Sequence, residues 1–450
     1  MSDGDLAVDL LVIGGGMAGL TAASYAATHG AAVMLVEKAH EVGGSAAISD
    51  GALWTAGSYE TIRLINPQGD PRLNHTLIQN YPEAVEWVRS TGVECNGPDR
   101  EAWTKRQAFD AIGMFFDVFG YLQRCKDTVL SKGGWISTDA TVEHLLIEDG
   151  AVKGAAIKDR DGETSVQARW TLLASGGFQA DPESRRRYIG PHAGDLILRS
   201  NPNSTGDGLR LALSAGAGLA GRMDGFYGHL VPSPLANGLQ PSDYYRFVLN
   251  ILVRRGVLLD ARGQRFVDES IGDYHAAHAV ARLPGARAVL VGDAQARQDD
   301  FADVRPTVGN TDRPAEAAQA GARVAEAETL GELAAKARAW GYNGVERTLL
   351  EFNDQVGSEP ECMQPLRLHY QRPLDRAPFF AMEVQPVITF TWGGIRIDEH
   401  ARVLNEAGRP IPGLLAAGAD SGGHSYNRYI GGLAPACVFG LQAALQALSE

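Results

Sequence analysis

The stretch VIGGGMAG at Val12–Gly19 decides the fold of this chain. It joins an apolar run to an Ala-rich segment, and its glycines follow the spacing GxGxxG. At a turn from strand to helix, Gly14 permits the tight turn, Gly16 lets the backbone approach a pyrophosphate, and Gly19 lets the helix pack closely on the strand. The stretch therefore predicts a dinucleotide-binding turn.

The residues around this turn predict a βαβ unit. Asp9–Ile13 is expected to be a buried parallel strand, Met17–Thr28 a helix and Ala32–Val36 a second strand. Glu37 directly follows that strand, where an acidic side chain can accept hydrogen bonds from ribose hydroxyls. With these flanking elements the glycine motif indicates an α/β fold that binds a dinucleotide.

Further glycine turns favour FAD over NAD. Gly43–Ser45 offers additional backbone donors to a diphosphate, and Ala174–Gly177 is a third close-approach turn. Near the other end of the chain, Ile411–Asp420 (IPGLLAAGAD) ends in an acid placed to bind a polyol such as ribityl. Gly431–Ala434 opens a last helix whose N-terminal dipole would face the N1/O2 edge of a flavin. A cofactor held by both ends of the chain is long and has two parts, as FAD is.

Composition argues against several other classes of protein. The formal net charge of -13 disfavours a general nucleic-acid binder, and 44% apolar with 21% charged residues is typical of a globular protein. The cysteines form no CxxC pair; they are Cys95, Cys125, Cys362 and Cys437. We therefore predict no iron–sulfur cluster and no metal site.

The sequence also bears on location. No apolar window reaches the roughly 18 residues that a membrane span needs, and the start Met1–Asp5 is acidic, whereas a secretory signal begins with basic residues. We therefore expect a cytoplasmic enzyme without a membrane span.

The texture of the sequence changes between about Gly225 and Arg372. Long polar stretches appear there, among them Arg313–Ala339, which is rich in Ala, Glu and Arg, whereas Leu433–Leu448 is typical of a terminal helix. We predict that one domain is inserted in another: residues 1–225 and 373–450 form the first, and residues 226–372 form the second.

Several stretches resemble the flavoprotein superfamily of fumarate reductase, succinate dehydrogenase and 3-ketosteroid dehydrogenase. The similarity covers most of the chain, and the matching stretches are Gly43–Trp54 (GGSAAISDGALW), Ala174–Phe178 (ASGGF), Ser204–Gly208 (STGDG), Gly263–Glu269 (GQRFVDE), Gly393–Leu404 (GGIRIDEHARVL) and Pro410–Asp420 (PIPGLLAAGAD). The resemblance implies a Rossmann-like FAD-binding domain with an inserted α+β capping domain, and substrate on the flavin between them. It also implies the addition or removal of two hydrogens across a C–C bond next to a carbonyl or carboxylate.

The chain departs from the fumarate and succinate enzymes in three ways. Fumarate reductases carry a His before a Thr-Met-Gly-Gly stretch, and Phe390 stands at that position here. They place an arginine acid shortly after the motif that includes Glu269, whereas Asp268–Tyr274 contains no Arg. Succinate dehydrogenases attach FAD to a His in the loop after the second glycine turn, whereas Ser45–Gly57 contains no His. The resemblance thus implies non-covalent FAD and a substrate other than fumarate or succinate.

The 3-ketosteroid dehydrogenase branch is closer. Its SGGGIW-like loop is matched by Ser49–Trp54 (SDGALW), and its cap tyrosine after an ES motif is matched by Tyr274. Its second tyrosine precedes a glycine-rich turn, as Tyr429 precedes Gly431 and Gly432. This resemblance implies that Tyr274 exchanges the substrate proton, and that Tyr429 with the Gly432 N–H polarises a substrate carbonyl. Each tyrosine could instead be a packing residue.

Other polar side chains keep alternatives open. Arg428 resembles the fumarate reductase arginine that pairs with a substrate carboxylate, which an Arg fork binds bidentately; a surface salt bridge is the alternative. His424, in the same loop, could bind flavin or substrate or be structural. His275 and His278 have helical i, i+3 spacing, but no third metal ligand is suggested.

The predicted FAD-binding positions combine the glycine turns with the matching stretches. They are Gly14, Gly16, Met17, Ala18, Gly19, Glu37, Lys38, Gly43, Gly44, Ser45, Ser49, Gly51, Val142, Ala174, Ser175, Gly176, Asp207, Gly418, Asp420, Leu433 and Ala434. We predict an FAD-dependent oxidoreductase that acts on a small molecule. It catalyses α,β-dehydrogenation, or the reverse ene-reduction, of a C–C bond beside a carbonyl, with an unknown electron donor or acceptor. Two alternatives remain open. One is a dehydrogenase or reductase of a carboxylate substrate that uses Arg428 and resembles tricarballylate dehydrogenases or fumarate reductases, and the other is a flavoprotein electron-transfer subunit.

Overall fold

The structure, a computed structural model, describes residues 6–302 and 309–449. The acidic start Met1–Asp5 therefore lies outside the described residues. The chain divides into two compact units. Unit 1 comprises Met1–Ser184, Ser200–Phe226 and Phe390–Glu450, and unit 2 comprises Arg185–Arg199 and Tyr227–Thr389. The assignment of residues 1–225 and 373–450 to a cofactor-binding domain and of 226–372 to a capping domain stays a prediction.

Helices are distributed along both units. They are α1 Met17–Thr28, α2 Tyr59–Ile65, α3 Pro71–Ser90, α4 Arg100–Gln107, α5 Val118–Ser131, α6 Pro182–Tyr188, α7 Asp207–Ser214, α8 Asn250–Arg255, α9 Asp273–Val280, α10 Ala294–Phe301, α11 Arg313–Gln319, α12 Leu330–Arg338, α13 Val345–Ser358 and α14 Leu433–Leu448.

The strands of the described residues occur singly and in consecutive runs. They are β1 Leu6–Ile13, β2 Val33–Val36, β3 Ala52–Ala56, β4 Cys95–Asn96, β5 Ala111–Phe116, β6 Trp135–Ser137, β7 Thr141–Glu148, β8 Ala151–Asp159, β9 Gly162–Leu173, β10 Ile197–Leu198, β11 Leu219–Ala220, β12 Phe226–Pro232, β13 Val257–Leu259, β14 Ala288–Gly292, β15 Val324–Ala327, β16 Phe379–Thr391, β17 Gly394–Ile395, β18 Arg402–Leu404 and β19 Pro410–Ala416.

The main sheet of unit 1 is built around β1. Its strand order is β18-β19-β9-β1-β2-β6, and the hairpin β7–β8 joins it through β9. β1 pairs in parallel with β2 and β9, and β9 pairs in parallel with β19. Strands buried on both faces read as continuous apolar runs, as Leu10–Ile13 does. The parallel β1–α1–β2 unit and the α/β fold class that the sequence predicts are thereby confirmed.

Two helices, α1 and α14, pack beside this sheet. α1 and α14 coincide with the helices predicted from the sequence, and they pack against each other. The packing is close because small residues face each other: a Cβ added at Gly440 would lie 2.6 Å from the carbonyl oxygen of Ala18. The C-terminal helix is therefore fixed against the helix that follows the first glycine turn.

Unit 2 is an α+β assembly around a six-stranded sheet. β16 pairs antiparallel with β14 and β15 and in parallel with β10, and β12 also pairs with β16. The core packs this sheet against α12 and α13 through apolar side chains such as Val289, Leu333 and Phe352. Within the described residues, no helix is both long enough and apolar enough to span a membrane.

Candidate active site

The turn from β1 to α1 leaves open space at the helix N-terminus. Gly14 has φ +109°, and a Cβ there would clash with the carbonyl of Ala174. A Cβ at Gly19 would clash with the Gly14 carbonyl, whereas one at Gly16 would have no atom within 4 Å. No side chain caps the helix at Gly16. The first backbone N–H groups of α1 are thus available to a phosphate group.

A carboxylate is held directly beside this turn. Glu37 is 6% exposed, and its two oxygens accept hydrogen bonds from the N–H groups of Gly15 and Ala39, each at 2.8 Å. A carboxylate has about four lone-pair sites, so two remain for hydroxyl donors such as those of a ribose. The arrangement is the one expected of a dinucleotide site.

The second glycine turn lies against the first. The N–H of Gly43 donates to the carbonyl of Gly15 at 2.7 Å, and a Cβ at Gly44 would lie 3.3 Å from the Cα of Gly16. Ser45 follows, and its hydroxyl is 2.8 Å from the hydroxyl of Ser200. The two glycine turns therefore lie side by side.

The third glycine turn meets the C-terminal one at a buried carboxylate. Asp420 accepts hydrogen bonds from the backbone N–H and the hydroxyl of Ser175, at 2.5 and 3.0 Å. A Cβ at Gly208 would fall 2.6 Å from the Asp420 carboxyl, and one at Gly418 would lie 3.1 Å from the Cβ of Ala18. Burial raises the pKa of Asp420 to about 7, against the lowering effect of the Ser175 hydrogen bonds.

Other predicted cofactor positions surround these turns in unit 1. Lys38 donates to the carboxylate of Asp207 at 2.7 Å and to the hydroxyl of Thr205 at 2.8 Å. The N–H of Gly51 donates weakly to the hydroxyl of Ser49, at 3.4 Å. Met17, Gly176, Leu433 and Ala434 lie at the turns and helix starts described above and below. These assignments stay predictions of cofactor contact.

Val142 is in β7 and is not part of a glycine turn. It is a buried residue of β7, and its carbonyl accepts a hydrogen bond from Arg210 at 3.3 Å. The contacts described above, which join the glycine turns to one another, do not include it. Its assignment to the cofactor site also stays a prediction.

Aromatic side chains gather at the start of α14. Gly432 precedes the helix, and no side chain caps it. A Cβ at Gly432 would lie 3.4 Å from the hydroxyl of Tyr429 and 3.3 Å from the ring of Phe390. The Tyr429 ring makes edge contacts with Phe390 and Trp54, with centroids 5.9 and 5.3 Å apart. A hydroxyl and an uncapped helix N-terminus therefore lie together on an apolar wall.

Arg428 lies on an aromatic ring. Its guanidinium carbon is 4.8 Å from the centroid of Phe109, and no described residue forms an ion pair with it. The described residues therefore do not form the surface salt bridge that the sequence left open as an alternative role for Arg428.

His424, in contrast, is turned into the protein. It is 8% exposed, its Nε2 is 2.8 Å from the hydroxyl of Ser421, and its ring lies against Phe439. Burial lowers the pKa of this imidazole to about 4. Its Nδ1 has no hydrogen-bond partner among the described residues.

Sequence reasoning missed the residues that hold this loop. Asn66 donates to the His424 carbonyl at 2.7 Å and accepts hydrogen bonds from the N–H groups of Tyr426 and Asn427, at 2.9 and 3.3 Å. Asn74 donates to the same His424 carbonyl at 3.0 Å. The two asparagines precede the loop by about 350 positions, so no local signal could have revealed the contact.

The remaining catalytic candidate is in unit 2. Tyr274 is the second residue of α9, directly after the buried Asp273. His275 and His278 follow on the same helix, but no group of three His, Cys, Asp or Glu residues that could hold a metal ion occurs in the described part of the chain.

Two orphaned polar atoms in unit 1 suit a ligand. Gln179 Oε1 and Thr391 Oγ1 are buried without hydrogen-bond partners in the described residues, and both approach the Cβ position of Gly177, in the third glycine turn. Buried polar groups without partners are rare in complete proteins. Together with the open space at Gly16, they fit a large polar cofactor bound along the turns.

Comparisons with known proteins agree with this geometry. The family described as "FAD binding domain" matches residues 9–432. The chain is similar to an NADH:fumarate oxidoreductase of Klebsiella pneumoniae, with 26% identity over 98% of this chain and 47% of that protein, so it spans about half of that relative. It is also similar to a vinyl phenol reductase of Lactiplantibacillus plantarum, with 27% identity over 96% of this chain and 93% of the relative.

A solved structure supports the fold. The 3-ketosteroid Δ4-(5α)-dehydrogenase of Rhodococcus jostii, in complex with 4-androstene-3,17-dione, superposes with a TM-score of 0.73 at 22% identity, over 100% of this chain and 98% of that one. The chain therefore belongs to the FAD binding domain family, and it is an FAD-dependent oxidoreductase that acts on CH–CH groups.

Proposed function

We propose that the protein catalyses α,β-dehydrogenation, or the reverse ene-reduction, of a C–C bond beside the carbonyl group of a small neutral molecule. The observation that carries the proposal is the position of the Tyr429 hydroxyl, 3.4 Å from the Cβ position of Gly432 at the uncapped start of α14. FAD supplies the chemistry of accepting or giving a hydride. The residues of the chain must supply the handling of charge and protons.

The first requirement is stabilisation of an enolate oxygen. When a proton leaves or joins the carbon beside a carbonyl, negative charge develops on the carbonyl oxygen. An O–H donor and a backbone N–H at a helix N-terminus stabilise such charge. Tyr429 and Gly432 provide these two donors, and the Trp54 and Phe390 rings support the tyrosine.

The second requirement is a fit to the substrate. Phe390 offers no hydrogen bond, and with Tyr429 and Trp54 it forms an apolar aromatic wall. Such a wall suits a planar, conjugated, uncharged molecule better than a dicarboxylate, because the rings offer no donor that would compensate the lost hydration of a second carboxylate. This supports a neutral enone or its saturated counterpart as substrate.

The third requirement is a proton donor or acceptor. The resemblance puts forward Tyr274, and no arginine follows Glu269 in the stretch Asp268–Tyr274. A tyrosine serves as acid or base when a neighbouring group shares its proton. Tyr274 stays a prediction.

A second candidate function rests on Arg428. Its guanidinium lies on Phe109 without an ion-pair partner among the described residues, and it could bind a substrate carboxylate bidentately. The substrate would then be an unsaturated carboxylic acid. A flavoprotein electron-transfer subunit remains an alternative function. The electron donor or acceptor stays unknown, and the cytoplasmic location stays a prediction.

A screen with the FAD-loaded protein separates these functions. The flavin is reduced anaerobically with dithionite, and its reoxidation is followed after addition of 4-androstene-3,17-dione, cyclohex-2-enone, fumarate or acrylate. We expect the enones to reoxidise the flavin and the two acids to leave it reduced. Reoxidation by the acids alone, abolished in Arg428→Gln, would instead support the carboxylate function. No reoxidation by any of them would leave the electron-transfer subunit as the better reading.

A further inference from the structure

A histidine is buried inside the loop that joins the C-terminal glycine turn to α14. The loop comprises residues 421–429, and its backbone is fastened to the start of α3, because the N–H of Asp70 donates to the Gly423 carbonyl at 2.9 Å. His424 is the next residue of the loop. Its ring lies against that of Phe439 in α14, with the two centroids 4.6 Å apart. The imidazole is therefore buried where the loop meets α14.

Ser421 determines which nitrogen of this ring carries the proton. The Ser421 hydroxyl donates to the carbonyl of Gly418 at 2.7 Å, and a carbonyl can only accept. A hydroxyl has a single proton, so Ser421 can only accept from Nε2 of His424, which is 2.8 Å away. Nε2 therefore carries the ring proton, and Nδ1 of the neutral imidazole carries none.

A second proton on the ring would have no acceptor. Nδ1 of His424 is buried, and no described residue forms a hydrogen bond with it. A proton added at Nδ1 would create a buried cation with an unpaired N–H, which is costly. Opening the loop would remove this cost, because water could then accept the hydrogen bond.

The elements packed against the ring offer little charge to a second proton. α14 contains no Asp, Glu, Lys, Arg or His, and burial raises the pKa of its Cys437 thiol to about 12, so that the thiol stays neutral. Burial lowers the pKa of His424 to about 4, against the raising effect of Asp70. The Asp70 carboxylate already accepts from the N–H groups of Arg72 and Leu73, at 2.9 and 3.3 Å.

Two further charged groups belong to the same stretch of chain. Asp420 precedes the loop, and its carboxylate is hydrogen-bonded to Ser175. Burial raises the pKa of Asp420 to about 7, so acid neutralises this group and favours the closed state. Arg428 lies on the ring of Phe109. Neither group compensates a charge on the imidazole.

We propose that His424 is an acid-sensitive latch of the loop that carries Arg428 and Tyr429. A neutral ring keeps the loop closed on α3 and α14, and protonation of the ring favours its opening. The latch needs no substrate, so it does not depend on the function proposed above. Because the open loop binds the proton more tightly, the contribution of His424 to closure is fully present above about pH 6.5 and is lost as the pH falls towards about 4.

Hydrogen–deuterium exchange of the FAD-loaded protein tests the latch. Peptides that contain Tyr426 and Asn427 report loop opening, because the N–H groups of both residues donate to Asn66 in the closed loop. We expect the opening constant, corrected for the intrinsic exchange rate, to increase about 30-fold from about pH 7.5 to about pH 5, since the pKa of the ring is about 4 in the closed loop and 6.5 in the open one. An unchanged opening constant, or an equal increase in peptides of β1 that report global unfolding, overturns the proposal.

His424→Gln assigns the opening to this ring. The glutamine amide can donate to Ser421 but does not titrate, so the loop of this variant should lose the dependence on pH whatever its absolute stability. His75→Gln is the matched control, because His75 is an exposed histidine of α3 whose ring lies against Tyr59; it should keep the parent dependence. A dependence that persists in His424→Gln, or that disappears in His75→Gln, assigns the opening to another group and overturns the proposal.

The protonation state of the ring can be measured directly. Nitrogen-15 NMR of the FAD-loaded protein, labelled at its histidines and with His424 identified by its loss in His424→Gln, reports which nitrogen carries the proton. We expect a protonated Nε2 and an unprotonated Nδ1 at neutral pH. A proton on Nδ1 overturns the latch. If His424→Gln does not fold, the exchange of the parent protein alone decides the proposal.

Discussion

The carboxylate of Asp420 accepts a hydrogen bond from the backbone N–H of Ser175 at 2.5 Å, although 245 positions separate the two residues. One follows β19 and the other follows β9, and these parallel neighbours end at the same edge of the sheet. Parallel pairing thus brings Asp420, from near the C-terminus, to a glycine turn in the middle of the chain. Because the resulting carboxylate is buried, we predict that the stability of the protein depends on pH.

The stability of the flavin-free protein should depend on Asp420. Burial raises the pKa of this carboxyl from 3.8 to about 7, so the folded state binds the proton more tightly than the unfolded chain. Its contribution is fully present below pH ~4 and is lost as the pH rises through about 7. Asp420→Asn stays neutral, and urea unfolding should show its stability relative to the parent increasing from pH ~4 to above 7. A pH-independent difference would contradict this assignment.

Gly16→Leu should fold but fail to retain FAD. A Cβ at this position meets no atom within 4 Å, so we expect the folded protein to accommodate the leucine side chain. The same side chain would occupy the space that the pyrophosphate of the cofactor needs. The flavin absorbance of purified protein measures retention. Gly357→Leu in α13 is the matched control, because its Cβ also meets no atom within 4 Å. Equal flavin content in both variants would exclude a phosphate site at Gly16.

The flavin should be released by acid. No histidine occurs in Ser45–Gly57 to form a covalent bond to the isoalloxazine. After precipitation with trichloroacetic acid, the supernatant should contain FAD, identified by chromatography, and the pellet should be colourless. A yellow pellet would show that another residue attaches the cofactor.

Tyr429→Phe should retain FAD but lose turnover with enones. The ring contacts with Trp54 and Phe390 survive the change, and only the donor beside Gly432 is removed, which we expect to cost about 100- to 1,000-fold in rate. Tyr81→Phe is the control, since its hydroxyl donates to the Leu53 carbonyl in the core. That variant should lose stability instead of rate. If Tyr429→Phe reacts at the parent rate, Tyr429 is a packing residue.

Asn66→Leu should destabilise the loop that carries Arg428 and Tyr429. Its amide oxygen accepts from the N–H groups of Tyr426 and Asn427, and its amide nitrogen donates to the His424 carbonyl. A buried N–H that loses its acceptor costs about 1–3 kcal/mol, whereas the His424 carbonyl keeps its bond from Asn74. Urea unfolding of the FAD-loaded protein gives the loss. Asn80→Leu in α3 removes a single bond to the Thr76 carbonyl and should cost less. Equal losses would mean that solvent replaces the Asn66 contacts.

The sequence by itself determined the elements whose signals are local. The spacing of Gly14, Gly16 and Gly19 and the apolar run before them predicted β1 and α1, and the bounds of α14 followed from its own apolar pattern. Such signals are readable because φ/ψ limits and helix periodicity act within a few residues. Glu37 was predictable for the same reason, because it directly follows the second strand of the same unit.

Only the tertiary structure decided which distant residues meet. Asn66 reaches the loop of Tyr426, and His229 joins Tyr227 to Asp273, through backbone paths that no local pattern encodes. Sheet pairing and helix packing bring these groups within hydrogen-bond distance of one another. The sequence therefore predicted the cofactor, whose binding motifs are contiguous, whereas the hydrogen bonds among Tyr227, His229 and Asp273 form only in the folded chain.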